Sequence, residues 1–582
     1  MTEGRKIGKN ILMGMKQIIC ENPFLFGLAY SYGLFLFVCI VAHPCWEGAD
    51  EFLISGILSG ITGESSPYVL VISYPLSCVL YLLEIWLPQL NWLTMLEIFS
   101  VWISFAVYIW IFLNKKSIGG YLTAFFTPLV FETAFFMSLH YTRSACLLTF
   151  TGLLLIYYCC FERPGKPGMI AGGVLMMLGS LMRYSCTFLV IPFVGIWVVI
   201  CGWRQFKEKN FEAKENVRFI SFFIGTFIII IGLNCWHKYE YEKFTLESDY
   251  VAFNRARSFA YDYLPENYQI YEEAFEKAGI SFNDYEMLRT STIYDSFFDI
   301  DTYSAISGIN TSENKSLSQK WNAVKARLWK SFSYYNSGRI SGEKNMCVLF
   351  LIVACLSLTL LSRKSVFAYF CTLLGTLVIA FYFIWTGRFP PWVQDSLYFI
   401  GCITFLYGIE WKSVRMNKGN KKRRIAAYMI CGAFVLSGLC FSGDRFRTGA
   451  AVKPGTDMQQ ALSFMENDKN NVYLIDNFSY CPYPIIDVYG SLRGLKRGSW
   501  SNILRVGTWF IDHPVLNHQL EDLALESPIR DMVNDRMFLF TNIDSPNIRK
   551  YQIFFEEHYG TNIRSKLVHQ WGGYAIYSFE LT

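Results

Sequence analysis

Charged residues are scarce in this chain. Asp, Glu, Lys and Arg make up 17% of its 582 residues, whereas an average soluble protein contains about 25%. A soluble chain of this length would need more charge to cover the surfaces of its several domains. The shortage of charge excludes a soluble enzyme, and the hydrophobic content of 53% excludes a disordered chain.

Several catalytic signatures are also missing. The sequence contains no GxxxxGK[ST] loop, no HExxH, no GxSxG and no GxGxxG after a strand. Their absence argues against ATP-driven transport, zinc proteolysis and nucleotide-cofactor chemistry. The basic run at 421–424 adjoins an apolar block, which favours contact with anionic lipids over nucleic acid. No nucleic-acid partner is expected.

The sequence contains long apolar blocks. The clearest, at 24–42, 93–113 and 219–235, are almost free of charge and have about the length that crosses a bilayer as a helix. Together with similar blocks they predict an α-helical polytopic membrane protein with about 11–12 spans. The block at 68–87 contains Pro75 and Glu84 and is predicted either to span the membrane or to be an embedded, re-entrant segment.

Basic residues set the predicted topology, because short loops rich in Lys and Arg stay in the cytoplasm. They place the N-terminus inside the cell and the C-terminus outside. The predicted layout is a cytoplasmic N-terminus (1–23), a bundle (24–235) with a first outer loop (43–67), a helical extracytoplasmic loop domain (236–345), further membrane helices (346–441) and an extracytoplasmic α/β domain (442–582).

The C-terminal region has the pattern of a small α/β domain. Helical spacing occurs at 457–466 and 546–559, with Ser545 as the expected N-cap and Pro546 at the first helical position. Strand-like patterns occur at 471–475 and 537–541, and 567–579 can supply one or two closing strands.

The first outer loop carries two adjacent acids, Asp50 and Glu51, immediately before the apolar stretch 52–61. A carboxylate shielded here can accept a proton from an attacking hydroxyl. It can also hold a divalent cation against a phosphate. The third interpretation is an acidic first turn of an interfacial helix, which the helix dipole favours.

The order of these features resembles a known family. A basic N-terminus and a first span precede the acidic pair, and "LISGILSG", Pro67, "LYLLEIWLP" and Asn91-Trp92 follow it. The first ~110 residues in particular are similar to the multi-spanning C-superfamily (GT-C type) membrane glycosyltransferases, including bacterial relatives of the serotype glucosyltransferases and protein mannosyltransferases. The resemblance implies transfer of a sugar from a polyprenyl-phosphate donor to a cell-envelope glycan or protein acceptor, in contact with membrane lipids.

In that family an acid of the first outer loop is the expected catalytic base. The resemblance therefore implies Asp50 as the first candidate base and Glu51 as the second. Relatives often carry two aspartates, whereas this chain has Asp-Glu. A requirement for Mg²⁺ or Mn²⁺, held by Asp50 and Glu51, stays open.

A lipid-linked donor would place its phosphate at the outer membrane interface, where arginine is the better planar match. Arg388 lies in a very short outer loop and is the first candidate for binding the donor phosphate. Arg183 and Arg143 lie at other outer ends of spans. The alternative role for each arginine is that of an interfacial anchor.

The middle loop combines aromatic residues with polar side chains that suit a sugar, whose C–H faces stack on rings while its hydroxyls form hydrogen bonds. The alternative is a self-contained helical cap. The predicted acceptor-binding residues are Asn254, Arg257, Asp262, Asn283 and Asp284.

Two other functions fit many spans and a large outer loop. A lipid-linked oligosaccharide polymerase or ligase would depend on the middle loop, so that alanine at Arg257 would inactivate it while Asp50→Asn would not. A transporter or flippase would need polar residues through the bundle and usually a repeat between halves. Neither feature is evident in the sequence, and the transporter ranks last.

Overall fold

A computed structural model defines the fold. It describes residues 21–41, 44–47, 50–207, 213–247, 249–265, 267–310, 321, 324–325, 343–360, 366–386, 388–409, 425, 429–440, 456–476, 494–507 and 509–582. The basic N-terminal residues 1–20 and the basic run 410–424, on which the predicted topology partly rests, lie outside the described residues.

The first half of the chain is almost entirely helical. Its helices are α1 (Pro23–Val41), α2 (Asp50–Ser59), α3 (Tyr74–Trp86), α4 (Trp92–Asn114), α5 (Ile118–Thr127), α6 (Thr133–Met137), α7 (Tyr141–Phe161), α8 (Lys166–Met182), α9 (Ser185–Lys207) and α10 (Ala213–Glu247). A π-helical turn, Pro128–Glu132, joins α5 to α6. Helix α10 continues twelve residues beyond the apolar block predicted to end at 235.

The remaining helices lie in the middle region, in a second set of apolar helices and in the C-terminal domain. The middle region holds α11 (Tyr250–Asp262), α12 (Glu272–Lys277), α13 (Phe282–Arg289) and α14 (Ile300–Asn310), followed by the apolar helices α15 (Glu343–Thr359), α16 (Val366–Thr386), α17 (Pro391–Gly408) and α18 (Met429–Cys440). Within the described residues, six helices are long and apolar enough to cross a membrane, and five shorter apolar helices accompany them. This confirms the α-helical multi-pass membrane class. The number of crossings stays a prediction.

The segment 68–87 contains a short helix, and whether it spans the membrane stays a prediction. Its helix, α3, has 13 residues and is therefore about 20 Å long, whereas the hydrocarbon core is about 30 Å thick. Before it, the Tyr68 carbonyl lies 3.0 Å from His513 Nε2 of the C-terminal domain. After it, the Gln89 carbonyl accepts a hydrogen bond of 3.0 Å from the Gly494 amide. Both ends lie against the same domain, which supports the embedded alternative.

Helices α7 and α8 approach closely because glycines line their contact. A Cβ added to Gly152 would lie 2.4 Å from the Gly172 carbonyl oxygen, too close for any side chain. Small residues at such contacts allow membrane helices to pack backbone to backbone. The contact brings the end of α8, and with it Arg183, against the first turn of α7.

The C-terminal region folds as a small α/β domain, as predicted. Its helices are α19 (Thr456–Asn467), α20 (Pro514–Leu523) and α21 (Asn547–Tyr559), and its strands are β3 (Val472–Ile475), β4 (Ile503–Arg505), β5 (Met537–Asn542), β6 (Ile563–Trp571) and β7 (Tyr574–Leu581). In the described residues they form one sheet in the order β4-β3-β5-β7-β6, with β3 parallel to both neighbours and β7 antiparallel to both of its own.

The N-cap of α21 differs by one residue from the expectation. Pro546 occupies the N-cap position, and Ser545 precedes it. The Ser545 hydroxyl still accepts a hydrogen bond from the Asn547 amide at 3.4 Å and donates one to the buried Asp476 carboxylate at 3.2 Å. The serine is therefore held by the domain core in addition to the helix start.

The middle helices and the C-terminal domain form one body. His558 Nε2 lies 2.9 Å from Asp284 Oδ1, and the Asn283 side-chain amide donates to the Lys550 carbonyl at 3.0 Å. Nearby, the buried Asp295 accepts a hydrogen bond of 2.9 Å from the Ser527 hydroxyl. The middle region is therefore not a self-contained helical cap, because its polar side chains bind across to the other domain.

A buried ion-pair triad attaches the first outer loop to the bundle. Arg143, in the first turn of α7, contacts the Glu47 carboxylate and lies 2.8 Å from Asp395 Oδ2. Two short strands, β1 (Cys45–Trp46) and β2 (Ser138–Leu139), pair in parallel beside it. The triad and the strand pair together hold the chain that leads into α2.

We expect Arg143→Gln to destabilise the protein strongly. The change would remove one partner of a buried ion pair, which typically costs about 3–5 kcal/mol. Thermal unfolding of the detergent-solubilised protein measures the loss. Arg163→Gln is the control, because Arg163 is exposed and contacts the Asn114 side chain and the Trp110 ring in place of buried carboxylates. Equal melting temperatures for both variants would contradict a structural role of the triad.

Candidate active site

The candidate site is built around helix α2. Eight of its ten residues, Glu51 through Leu58, are buried. The ring of Phe52 lies 4.8 Å from that of Trp500. The carbonyls of Gly60 and Ile61, just after the helix, accept hydrogen bonds of 2.9 Å each from the amides of Gly498 and Trp500. The C-terminal domain therefore packs directly on α2 and the residues that follow it.

Asp50 is the first residue of α2 and remains partly exposed. The indole Nε1 of Trp509 donates a hydrogen bond of 3.0 Å to Asp50 Oδ1, and the Tyr250 hydroxyl binds the Trp509 carbonyl at 2.9 Å. Burial raises the pKa of Asp50, while the Trp509 hydrogen bond and the charges of Arg183, Arg257 and Arg388 oppose that rise. Asp50 is thus an oriented carboxylate facing three guanidinium groups.

Each of the three arginines is positioned by a different element. Arg183, after α8, donates from Nη1 to the Tyr141 hydroxyl at 2.7 Å and to Thr142 Oγ1 at 2.6 Å. Arg257, on α11, donates from Nε and Nη2 to Asn254 Oδ1 at 3.0 and 2.8 Å. Arg388 lies between α16 and α17, with its backbone amide bound to the Phe383 carbonyl at 3.1 Å.

Asp262 is the second acid of the cluster. At the end of α11, its carboxylate forms an ion pair with the Arg388 guanidinium. Burial raises the pKa of Asp262, and Arg388 and Arg257 counter the shift. We call Asp50, Asp262, Arg183, Arg257 and Arg388 the charged cluster. It joins residues predicted for the donor phosphate with residues predicted for the acceptor.

Glu51 has a different hydrogen-bond partner from Asp50. Its side chain is fully buried, and Oε1 accepts a hydrogen bond of 3.1 Å from the Tyr141 amide. Among the described residues, Oε2 has no hydrogen-bond partner. Burial and then the charge of Asp50 raise the pKa of Glu51. Burial also lowers the pKa of the neighbouring His140, so that ring is neutral and does not offset a charge on Glu51.

A divalent cation does not fit between Asp50 and Glu51. Asp50 faces the positive charges of Arg183, Arg257 and Arg388, which would repel Mg²⁺ or Mn²⁺ and already supply positive charge to a bound anion. The Glu51 carboxylate is buried against the Tyr141 amide instead. Two adjacent carboxylates that serve different surroundings do not form the shared oxygen site that such ions need.

Besides Glu51, and Asn254, which binds Arg257, three predicted site residues lie outside the charged cluster. The Nη atoms of Arg143 are engaged by Glu47, Asp395 and the Ser138 carbonyl. Asn283 and Asp284 bind Lys550 and His558 between the middle region and the C-terminal domain. Conversely, nothing in the sequence pointed to Trp509. Its indole meets an acid 459 residues away, and no local pattern carries that information.

Comparisons with known proteins add little. No protein-family model matches this chain, and no curated protein does. Two solved structures of ArnT from Cupriavidus metallidurans, bound to undecaprenyl phosphate and in the apo state, match 95% of this chain and 97% of their own. Their TM-scores are 0.34 and their sequence identities 10% and 8%. Likeness at that level carries no argument, so the case for function rests on the site itself.

Proposed function

We propose that this protein is a membrane glycosyltransferase that moves a sugar from a polyprenyl-phosphate donor to a cell-envelope acceptor outside the membrane. The observation that carries the proposal is the position of Asp50. One partly exposed carboxylate is oriented by the Trp509 indole and interacts electrostatically with three arginines. This arrangement combines a general base with an anion-binding surface.

The charge of the cluster suits a phosphodiester. Three guanidinium groups and two carboxylates, taken as ionised, leave one net positive charge (3 − 2 = 1) among the residues described. A sugar linked to a polyprenyl phosphate carries one negative charge. Arg388 is the first donor contact, because it is 45% exposed while paired with Asp262. A guanidinium can turn two parallel N–H groups toward phosphate oxygens.

The proposed reaction is a direct displacement. Asp50 accepts the proton of an acceptor hydroxyl as its oxygen bonds to the anomeric carbon of the donor sugar. The bond between that carbon and the phosphate oxygen breaks at the same time, and its electron pair leaves with the polyprenyl phosphate. The arginines stabilise the charge that develops on the leaving phosphate. Glu51 holds the start of α7 through the Tyr141 amide and takes no proton from the substrate.

We expect Asp50→Asn to reduce sugar transfer by roughly 10²–10⁴-fold, because it removes the base and keeps the side-chain volume. Transfer from a radiolabelled polyprenyl-phosphate hexose to an envelope fraction measures the loss. Glu64→Gln is the matched control, since Glu64 is an exposed acid of the same loop. Full activity of Asp50→Asn together with an inactive Glu51→Gln would assign the base to Glu51 and overturn this mechanism.

We expect Arg388→Gln to raise the donor KM by about tenfold or more, since a hydrogen bond to a charged group contributes about 1.5–3 kcal/mol. Steady-state kinetics with varied donor and fixed acceptor measure it. Arg255→Gln is the control, because Arg255 lies on α11 two residues from Arg257 but is exposed. An unchanged donor KM in Arg388→Gln would show that this arginine does not bind the phosphate.

The pH profile tests the environment of Asp50. A base works when deprotonated, so activity should fall as the pH drops through the Asp50 pKa, which burial has raised above its ordinary value. The Trp509 hydrogen bond lowers that pKa, so Trp509→Phe should move the acidic limb upward, by roughly one pH unit. Trp236→Phe, at an exposed indole, should leave the limb in place. A limb that stays unmoved in Trp509→Phe would argue that Asp50 is not the titrating base.

A further inference from the structure

The C-terminal domain carries a second polar and aromatic site, outside the charged cluster. A groove of about 670 Å³ lies between α19 and β6. Three aromatic side chains, Phe464, His569 and Trp571, line it together with the polar side chains Gln460, Asn467 and Asp468. The mechanism above uses none of these residues.

The three rings contact one another, with the Trp571 ring inclined by 57° to that of Phe464 and by 67° to that of His569, and we call them the aromatic platform. The rings of Phe464 and His569 stack almost in parallel, at 5.3 Å with an angle of 9°, and the ring of Trp571 lies 4.0 Å from that of His569. Phe464 is 42% exposed. Because two rings stack on each other and do not enclose a space, the arrangement differs from the box that surrounds a quaternary ammonium ion.

Polar groups stand beside the aromatic platform. Asp468 is oriented by hydrogen bonds from the Asn471 side chain at 2.7 Å and the Tyr473 hydroxyl at 2.6 Å. These bonds lower its pKa, so it remains an ionised acceptor. Gln460 and Asn467 offer amide donors and acceptors. Ring faces next to amides and a carboxylate match the C–H faces and hydroxyls of a sugar.

The groove is preorganised by a tight turn. Gly572 follows Trp571 and has φ +51°, a left-handed conformation that glycine adopts most readily. A Cβ at this position would lie 2.1 Å from Asp457 Oδ2. The turn is therefore packed directly onto the first turn of α19, which fixes the strand that carries Trp571 against the helix that carries Phe464.

The helix that carries the groove is also braced against the helix that carries Asp50. On α19, Glu466 accepts a hydrogen bond of 2.9 Å from the Trp500 indole. The same indole packs on Phe52, two residues after Asp50. A saccharide bound in the groove would thus be held in a constant position relative to the charged cluster.

We infer that this groove is a saccharide-binding site on the outer domain, which takes an oligosaccharide of the cell envelope on its aromatic platform. The inference does not depend on the proposed catalysis, because binding can be measured without turnover. A transferase needs to recognise only the reacting sugar, so a separate saccharide-binding site is an additional property.

The test uses the full-length protein in detergent, with Asp50→Asn as background so that no transfer occurs. An array of neutral and amino-sugar oligosaccharides of two to six units is the probe, followed by measurement of Kd for bound members. We expect binding of at least one member, weakened about tenfold or more by Trp571→Ala and by Phe464→Ala. Gln460→Ala, an exposed position, provides a second variant with little risk to folding and should weaken binding in the same direction.

Leu567→Ala is the control, since Leu567 lies on β6 and is 50% exposed but does not line the groove. It should bind as the parent does, and thermal unfolding verifies that each variant is folded. Three results would overturn the inference: no member binds, binding is unchanged in all the folded groove variants, or tetramethylammonium binds there in place of sugars. Because the readout is binding alone, its failure leaves the proposed transfer reaction untouched, and the converse also holds.

Discussion

The burial of helix α2 between two layers is the constraint on which the site depends. Eight consecutive residues of this ten-residue helix are buried, with the bundle on one side and the domain around Trp500 on the other. Successive residues of a helix are turned by about 100°. The two adjacent acids at its start accordingly have different partners, the Trp509 indole for Asp50 and the Tyr141 amide for Glu51.

In the proposed mechanism, the charges of the cluster bear on both donor binding and reaction. Asp262 pairs with Arg388 and Asp50 faces all three arginines, so the free site is not strongly positive. In the proposed reaction, the phosphate gains negative charge as its bond to the sugar breaks, and each guanidinium contact then strengthens. Groups held in place beforehand need no reorganisation, so these contacts would stabilise the transition state in addition to binding the donor.

Much of this architecture could be predicted from composition and pattern. Apolar blocks predicted the membrane class, and alternation and helical spacing predicted most elements of the C-terminal domain, because these depend on local sequence. The prediction was weaker where contacts are distant. Arg143 and Arg183 both lie at helix ends. Arg143 is buried and pairs with Glu47 and Asp395. Arg183 donates to the Tyr141 hydroxyl and interacts electrostatically with Asp50. No local pattern separates them.

The same reasoning explains why the sequence could locate the acidic pair but could not distinguish its two members. Asp50 and Glu51 are chemically alike and adjacent, so the sequence supports either as base. The difference arises from partners far along the chain: the indole of Trp509 holds Asp50 at the surface, while the Tyr141 amide holds Glu51 inside. A base must reach its substrate as well as have a suitable pKa. Because the packing of the C-terminal domain sets the accessibility of each acid, the choice between them depends on tertiary structure.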